Sequence, residues 1–223
     1  MTDVAANLSR VAATVPEGVT LVAVSKFHPV EALRSAYDAG QRVFAESRAQ
    51  ELAAKAPALP DDIEWHFIGH LQTNKVRSVI PHASLIQSVD SARLLEAIST
   101  EAVKQGKIMD VLLEVNVSAD GSKTGMSPED FAALTEGFDA GDYPGVRVRG
   151  LMGMATFTDD RAVVRRDFEA LRRLFDDLRA GTFAASPCFD TLSMGMSDDR
   201  DIAIACGSTM VRVGTDIFGQ REY

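Results

Sequence analysis

Short apolar and β-branched runs alternate along this chain with longer stretches in which apolar positions recur at helical spacing. The runs at 21–25, 43–47, 64–69, 84–89, 109–117, 146–154, 190–196 and 210–214 read as strands. The segments between them have helical period and recognisable ends. Pro29 opens one as a first-turn proline, Val30, Leu33, Ala36 and Tyr37 share a face, and Gly40 closes it. Ser127, followed by Pro128, Glu129 and Asp130, reads as an N-cap with an acidic first turn ahead of Phe131 and Leu134. The clearest helix runs from about Asp160 to Ala180, where Val164, Phe168, Leu171, Phe175 and Leu178 repeat at steps of four, three, four and three before Gly181.

Eight strands alternating with helices predict an α/β protein, a single (β/α)₈ barrel of the TIM type, with a doubly wound open sheet as the alternative. No linker rich in Gly, Pro or Ser divides the chain and no internal repeat is visible, so residues 1–223 are expected to form one domain. The last strand is followed only by Ile217 to Tyr223, too short for a full eighth helix. Residues 3–14, with Val4, Leu8, Val11 and Ala12 on one face, predict an N-terminal helix that closes the wall in its place.

Composition narrows the function classes. With 46% hydrophobic and 25% charged residues the chain can bury a sizeable core, and a net charge of −9 argues against nucleic acid or an anionic membrane as partner. Any anion site must therefore be built locally. The two cysteines, Cys188 and Cys206, make no disulfide framework and are expected to be reduced and buried. The N-terminus has no basic head before an apolar block, and no run approaches a membrane span, so a cytoplasmic location is expected. A monomer is expected as well.

Candidate chemistry sits at strand ends. Lys26 closes the first apolar run, and an amine partly removed from water at the mouth of a core can act as a nucleophile toward an aldehyde. After the seventh strand comes Ser193-Met194-Gly195-Met196-Ser197-Asp198, leading into a helix with Ile202 and Ala205. After the eighth comes Gly214-Thr215-Asp216, with Arg212 two residues earlier on the same strand face. Loops at these two positions commonly bind phosphate in such barrels. Each segment alone reads more readily as ordinary turn chemistry. Together, with strand one beside strand eight, they can face one ligand carrying an aldehyde, a phosphate and an aromatic nitrogen, which is the chemistry of pyridoxal 5′-phosphate (PLP). His66 and His70 would stand more than ~10 Å apart on a strand, so no metal site is expected from them. Asn74, Lys75, Asn116 and Lys123 are candidates for the rim. Glu114 and Asp90 lie near strand ends without an assignable acid–base pair.

The stretches Ala23-Val24-Ser25-Lys26, Glu64-Trp65-His66-Phe67-Ile68-Gly69-His70-Leu71-Gln72-Thr73-Asn74-Lys75, Ser88-Val89-Asp90-Ser91, Arg149-Gly150-Leu151-Met152, Ser193 to Ser197 and Gly207 to Thr215 give the chain a further reading. In their order and spacing, from about Leu21 to Gly219, it resembles the pyridoxal phosphate homeostasis protein family, whose barrel is similar to the N-terminal domain of alanine racemase. The resemblance implies PLP as cofactor, held by Lys26 as a Schiff base, with Arg212 facing the pyridine nitrogen and Ser197, Gly214 and Thr215 on the phosphate. It also implies intracellular PLP buffering or delivery without efficient turnover, with PLP-dependent apoenzymes as possible partners. Two positions depart from the family pattern. Ala45-Glu46-Ser47 stands where Gly-Glu-Asn is usual, so Ser47 is expected to make a shortened or water-mediated contact to the cofactor ring. Gln87 stands where a histidine is frequent. A PLP-dependent amino-acid racemase is the alternative reading, weakened because the added β-domain that supplies a catalytic tyrosine in alanine racemase has no counterpart after Gly219. A Schiff-base aldolase is weaker still, since it leaves Arg212 without a use.

Overall fold

The computed structural model describes residues 3–118 and 124–220, so the rim candidate Lys123 lies outside the described residues. Eight parallel strands close into a barrel in chain order: β1 (Thr20–Val24), β2 (Val43–Glu46), β3 (Glu64–Phe67), β4 (Leu85–Val89), β5 (Met109–Glu114), β6 (Val146–Met152), β7 (Thr191–Ser193) and β8 (Met210–Val213), with β1 pairing β8. The helices are α1 (Val4–Ala12), α2 (Val30–Asp38), α3 (Ala49–Lys55), α4 (Val76–Val79), α5 (Ala92–Lys104), α6 (Pro128–Glu136), α7 (Arg161–Ala180), α8 (Arg200–Ala205) and α9 (Thr215–Phe218).

Side-chain alternation divides the wall into two faces. Val22, Val24, Ala45, Leu85, Leu112, Met152 and Met210 pack together inside the barrel. Their neighbours in sequence, among them Ala23, Phe44, Ile86, Leu113, Leu151 and Val211, join the core between barrel and helices. Register places Val22 beside Arg212, so Arg212 shares the inward face.

The expected helix ends are largely those found. The Ser127 side chain accepts the Asp130 N–H to cap α6, and Asp160 caps α7, which stops at Gly181. Pro29, expected inside the first turn, is instead the extended N-cap of α2, with ψ 159°. At the C-terminal side α9 is a single turn, and α1 covers the wall beside it. Val4, Leu8 and Val11 are buried, and the Asn7 side chain donates to the Ile217 carbonyl at 3.1 Å.

Several strands are shorter than the apolar runs suggest. The run expected at 190–196 pairs only over Thr191–Ser193, because Gly195 turns the chain with φ +97°. The run expected at 109–117 leaves the sheet after Glu114, followed by one isolated bridge between Val115 and Met126. Cys188 and Cys206 are free thiols but only half-buried, a correction to their expected burial.

Candidate functional site

At the C-terminal end of the barrel, the loops after β1, β7 and β8 meet. Lys26 lies two residues beyond β1, half-buried, in a turn. Its loop reaches the end of β8 through His28, whose ring stacks on Phe218 of α9 with centroids 5.1 Å apart. Gly214 is packed close to the first strand: a Cβ there would lie 3.2 Å from the Val24 carbonyl oxygen. Thr215, exposed, opens α9 directly after it.

Ser197 is half-buried in the loop after β7, and Arg200 at the start of α8 ties this loop to the one after β8. Its Nη1 donates to the Ser197 carbonyl oxygen and, at 2.7 Å, to Asp216 Oδ2. Asp199 Oδ1 accepts the Met196 N–H at 2.6 Å, and the Gly195 carbonyl accepts the Arg212 N–H at 2.9 Å, so the loop is also pinned to itself and to β8. Five of the six residues singled out in the sequence, Lys26, Ser197, Arg212, Gly214 and Thr215, are thus carried on three loops or strands in mutual contact. Ser47 stands apart, one residue past β2. It shares the inward parity of Ala45, and its carbonyl is so close to Gly69 that a Cβ on Gly69 would lie 2.1 Å away.

Arg212 is 4% exposed, and burial lowers its pKa to about 10, which still leaves it charged at neutral pH. Its guanidinium donates to Ser193 Oγ at 2.6 Å and to the Gly153 carbonyl at 3.2 Å. Ser193 in turn donates to Gln87 Oε1 at 2.7 Å, and Gln87 Nε2 pairs with His66 Nδ1 at 2.9 Å. All four side chains are buried, and donation runs one way, from the cation to the imidazole. That direction requires His66 Nδ1 to be bare; burial, by lowering the His66 pKa to about 4, keeps the ring neutral and so leaves one nitrogen free to accept. Gln87 is therefore the centre of a buried hydrogen-bond chain that runs from Arg212 to His66.

His66 and His70 go to different partners, His70 pairing with Asp90 at 2.9 Å. Glu114 at the end of β5 is also buried, and desolvation raises its pKa to about 7 against the attraction of Arg212. It lines a cavity of about 830 Å³ over β5 to β7, together with Asn116, Met154, Thr156, Met196 and Asp199. None of the six predicted residues lines this cavity. It adjoins them through Met196, next to Ser197, and through Glu114, which feels the charge of Arg212. Of the expected rim residues, Asn116 lines the cavity, whereas Asn74 lines a separate surface recess beside α5 and Lys75 ends the short helical turn that precedes α4.

The sequence did not single out Arg200, which carries no local motif, or His66 as a relay member. The latter was readable from its inward parity beside Ala45.

Residues 1–222 match the family model described as alanine racemase, N-terminal domain. The chain is 40% identical over 234 residues to the pyridoxal phosphate homeostasis protein of Pseudomonas aeruginosa, covering 100% of this chain and 98% of that one. To the protein of the same name in Escherichia coli K12 it is 38% identical over 237 residues, covering 100% and 99%. Among solved structures it is similar to PipY of Synechococcus elongatus with PLP bound (TM-score 0.87, 37% identity, 97% of this chain and 100% of that chain). The alanine racemase of Streptomyces coelicolor shares the fold at a TM-score of 0.77 and 20% identity, this chain spanning 58% of it. On the full-length match to these relatives, the chain belongs to the pyridoxal phosphate homeostasis protein family, built on the alanine racemase N-terminal domain.

Proposed function

We propose that this protein binds PLP, holds it through Lys26 as a Schiff base, and serves intracellular PLP homeostasis by buffering or delivering the cofactor, without efficient turnover of its own. The observation that supports the reading is that the loop carrying Lys26 and the two loops tied by Arg200 gather at one end of β1 and β8, with Arg212 inward on β8. The donor set fits the cofactor. Lys26 offers an amine to the aldehyde, Ser197 and Thr215 offer hydroxyls to the phosphate, and Gly214 lets backbone approach closely. Hydrogen bonds to a charged phosphate are each worth roughly 1.5–3 kcal/mol.

When bound, PLP supplies an electrophilic aldehyde and a ring able to accept electrons. Arg212, held by Ser193 and, through it, Gln87, would face the ring nitrogen as a cation and disfavour its protonation, which would weaken that electron sink. Ser47, one residue past β2 on its inward parity, would make a shortened or water-mediated contact to the ring. The relatives at about 40% identity carry a homeostasis name, and that favours a carrier over a racemase. In this reading residues 1–223 form a single PLP-binding barrel domain, a cytoplasmic monomer that serves PLP-dependent apoenzymes. Among the described residues no helix is long and apolar enough to cross a membrane.

The test is to load apoprotein with PLP, remove free cofactor by gel filtration, and record the visible spectrum. Wild type should retain Schiff-base absorbance and release PLP to an added apoenzyme. Lys26→Ala should retain none. L-Alanine in deuterated buffer should show no Cα exchange and no D-alanine above the free-PLP control; rapid exchange that disappears in Lys26→Ala would defeat the carrier reading and favour the racemase.

A further inference from the structure

Behind the Lys26 turn, on the helix side of the barrel wall, lies a buried ion-pair cluster with no part in the site described so far. Lys55, the last residue of α3, is 7% exposed. Its ammonium donates to Glu46 Oε1 at 2.8 Å, to Glu51 Oε2 at 2.8 Å and to the Ser25 carbonyl at 3.0 Å, which uses all three protons. Glu46 Oε1 also accepts the Ser25 hydroxyl at 2.7 Å, and Glu51 Oε2 also accepts the Phe27 N–H at 2.9 Å. The residues on either side of Lys26 are therefore tied to the same ammonium, Ser25 directly and Phe27 through Glu51.

Phe27 has φ +69°, the one non-glycine residue among those described with a left-handed backbone. A bulky residue adopts that conformation only where its surroundings impose it. Here the Phe27 N–H is fixed by Glu51, and the Arg48 guanidinium lies 4.4 Å over the Phe27 ring while its Nη1 sits 3.9 Å from Glu51. A buried ion pair contributes little net stability, because desolvation offsets the attraction. Glu46 is consistent with this: burial raises its pKa despite Lys55, and its Oε2 is buried with no hydrogen-bond partner among the described residues. Apolar packing would hold α3 to the barrel at least as well. What the charges add is direction, two carboxylates and an ammonium arranged around one turn.

We propose that Lys55, acting with Glu46 and Glu51, is a positioning residue for Lys26, fixing the backbone on both sides of it so that the Lys26 amine projects into the barrel mouth. The proposal rests on the reading of Lys26 as the cofactor-binding amine. Its test compares two ligands on apoprotein: PLP, which has the aldehyde, and pyridoxine 5′-phosphate, whose alcohol can use the ring and phosphate contacts but cannot react with an amine. Affinities are measured for wild type, Lys26→Ala, Lys55→Met, Lys55→Arg and Glu51→Ala. Glu51 is partly exposed, so Glu51→Ala carries the test should Lys55→Met fail to fold.

Lys55→Met and Glu51→Ala should weaken PLP by about tenfold or more, as misdirecting a reacting group does, while leaving pyridoxine 5′-phosphate unchanged. Lys55→Arg should restore part of the loss. Equal weakening of both ligands would reduce the cluster to a structural role, and no change in either would remove the proposal. If wild type and Lys26→Ala bind PLP equally, the Lys26 reading itself falls, an outcome separate from failure of the Lys55 variants alone.

Discussion

Replacing Glu114 with glutamine should change how stability depends on pH, by an amount the structure fixes. In the folded protein burial pushes the Glu114 carboxyl up to about 7, from 4.5 when unperturbed. Between those values the native state keeps a proton that the unfolded chain has lost. The contribution is therefore fully present below pH 4.5 and is lost as pH rises through 7. The difference, roughly 2.5 pH units at about 1.36 kcal/mol each, amounts to about 3 kcal/mol. A side-chain amide cannot ionise, so the Glu114→Gln variant escapes this loss. Wild-type data alone would hide the effect, because His66 opposes it. Its pKa falls from 6.5 to about 4 on burial, so its contribution is present above 6.5 and lost as pH falls through 4. Subtracting one protein from the other cancels His66, which both contain. The assay is urea denaturation of apoprotein from pH 4.5 to 8. The stability of Glu114→Gln minus that of wild type should rise by about 3 kcal/mol across the range. Parallel curves for the two proteins would refute the burial argument.

Further consequences are as direct. Gly69→Ala places a Cβ 2.1 Å from the Ser47 carbonyl oxygen, so the denaturation midpoint should fall by about 1–3 kcal/mol of stability or more; an unchanged midpoint would mean that the loops after β2 and β3 do not touch. Deleting residues 3–14 exposes the wall covered by Val4, Leu8 and Val11, each worth about 1.5–3 kcal/mol, so the truncated protein should melt earlier and aggregate. Unchanged solubility and midpoint would mark the segment as a loose tail. Arg200→Ala unties the two loops and should weaken PLP while leaving pyridoxal, which lacks phosphate, nearly unaffected. Equal loss for both vitamers would place Arg200 in general folding rather than phosphate binding.

The barrel was legible because strand and helix periods alternate cleanly and the inward parity of Val22, Val24 and Arg212 follows from β-strand geometry alone. Strand ends were less so. Gly195 ends β7 early through its φ of +97°, and an apolar run such as 190–196 does not announce where pairing stops. Lys26, Ser197, Gly214 and Thr215 were readable as residue types at barrel positions one, seven and eight. The side chains that orient them were not. Arg200, Gln87 and Lys55 act through partners 16, 106 and 30 residues away, at Asp216, Ser193 and Ser25, and no local pattern encodes such pairings. The half-buried cysteines were misjudged because burial was read from residue type, and a tendency of the type does not fix the cover at one position.

The central claim is that Lys26 carries the cofactor. Borohydride reduction of the PLP-loaded protein, followed by proteolysis and peptide mass mapping, tests it most directly. The account predicts one pyridoxyl adduct, on the peptide containing Lys26, that is absent when excess pyridoxine 5′-phosphate occupies the site during loading. Labelling confined to Lys75 or Lys123, with Lys26 unmodified, would contradict it.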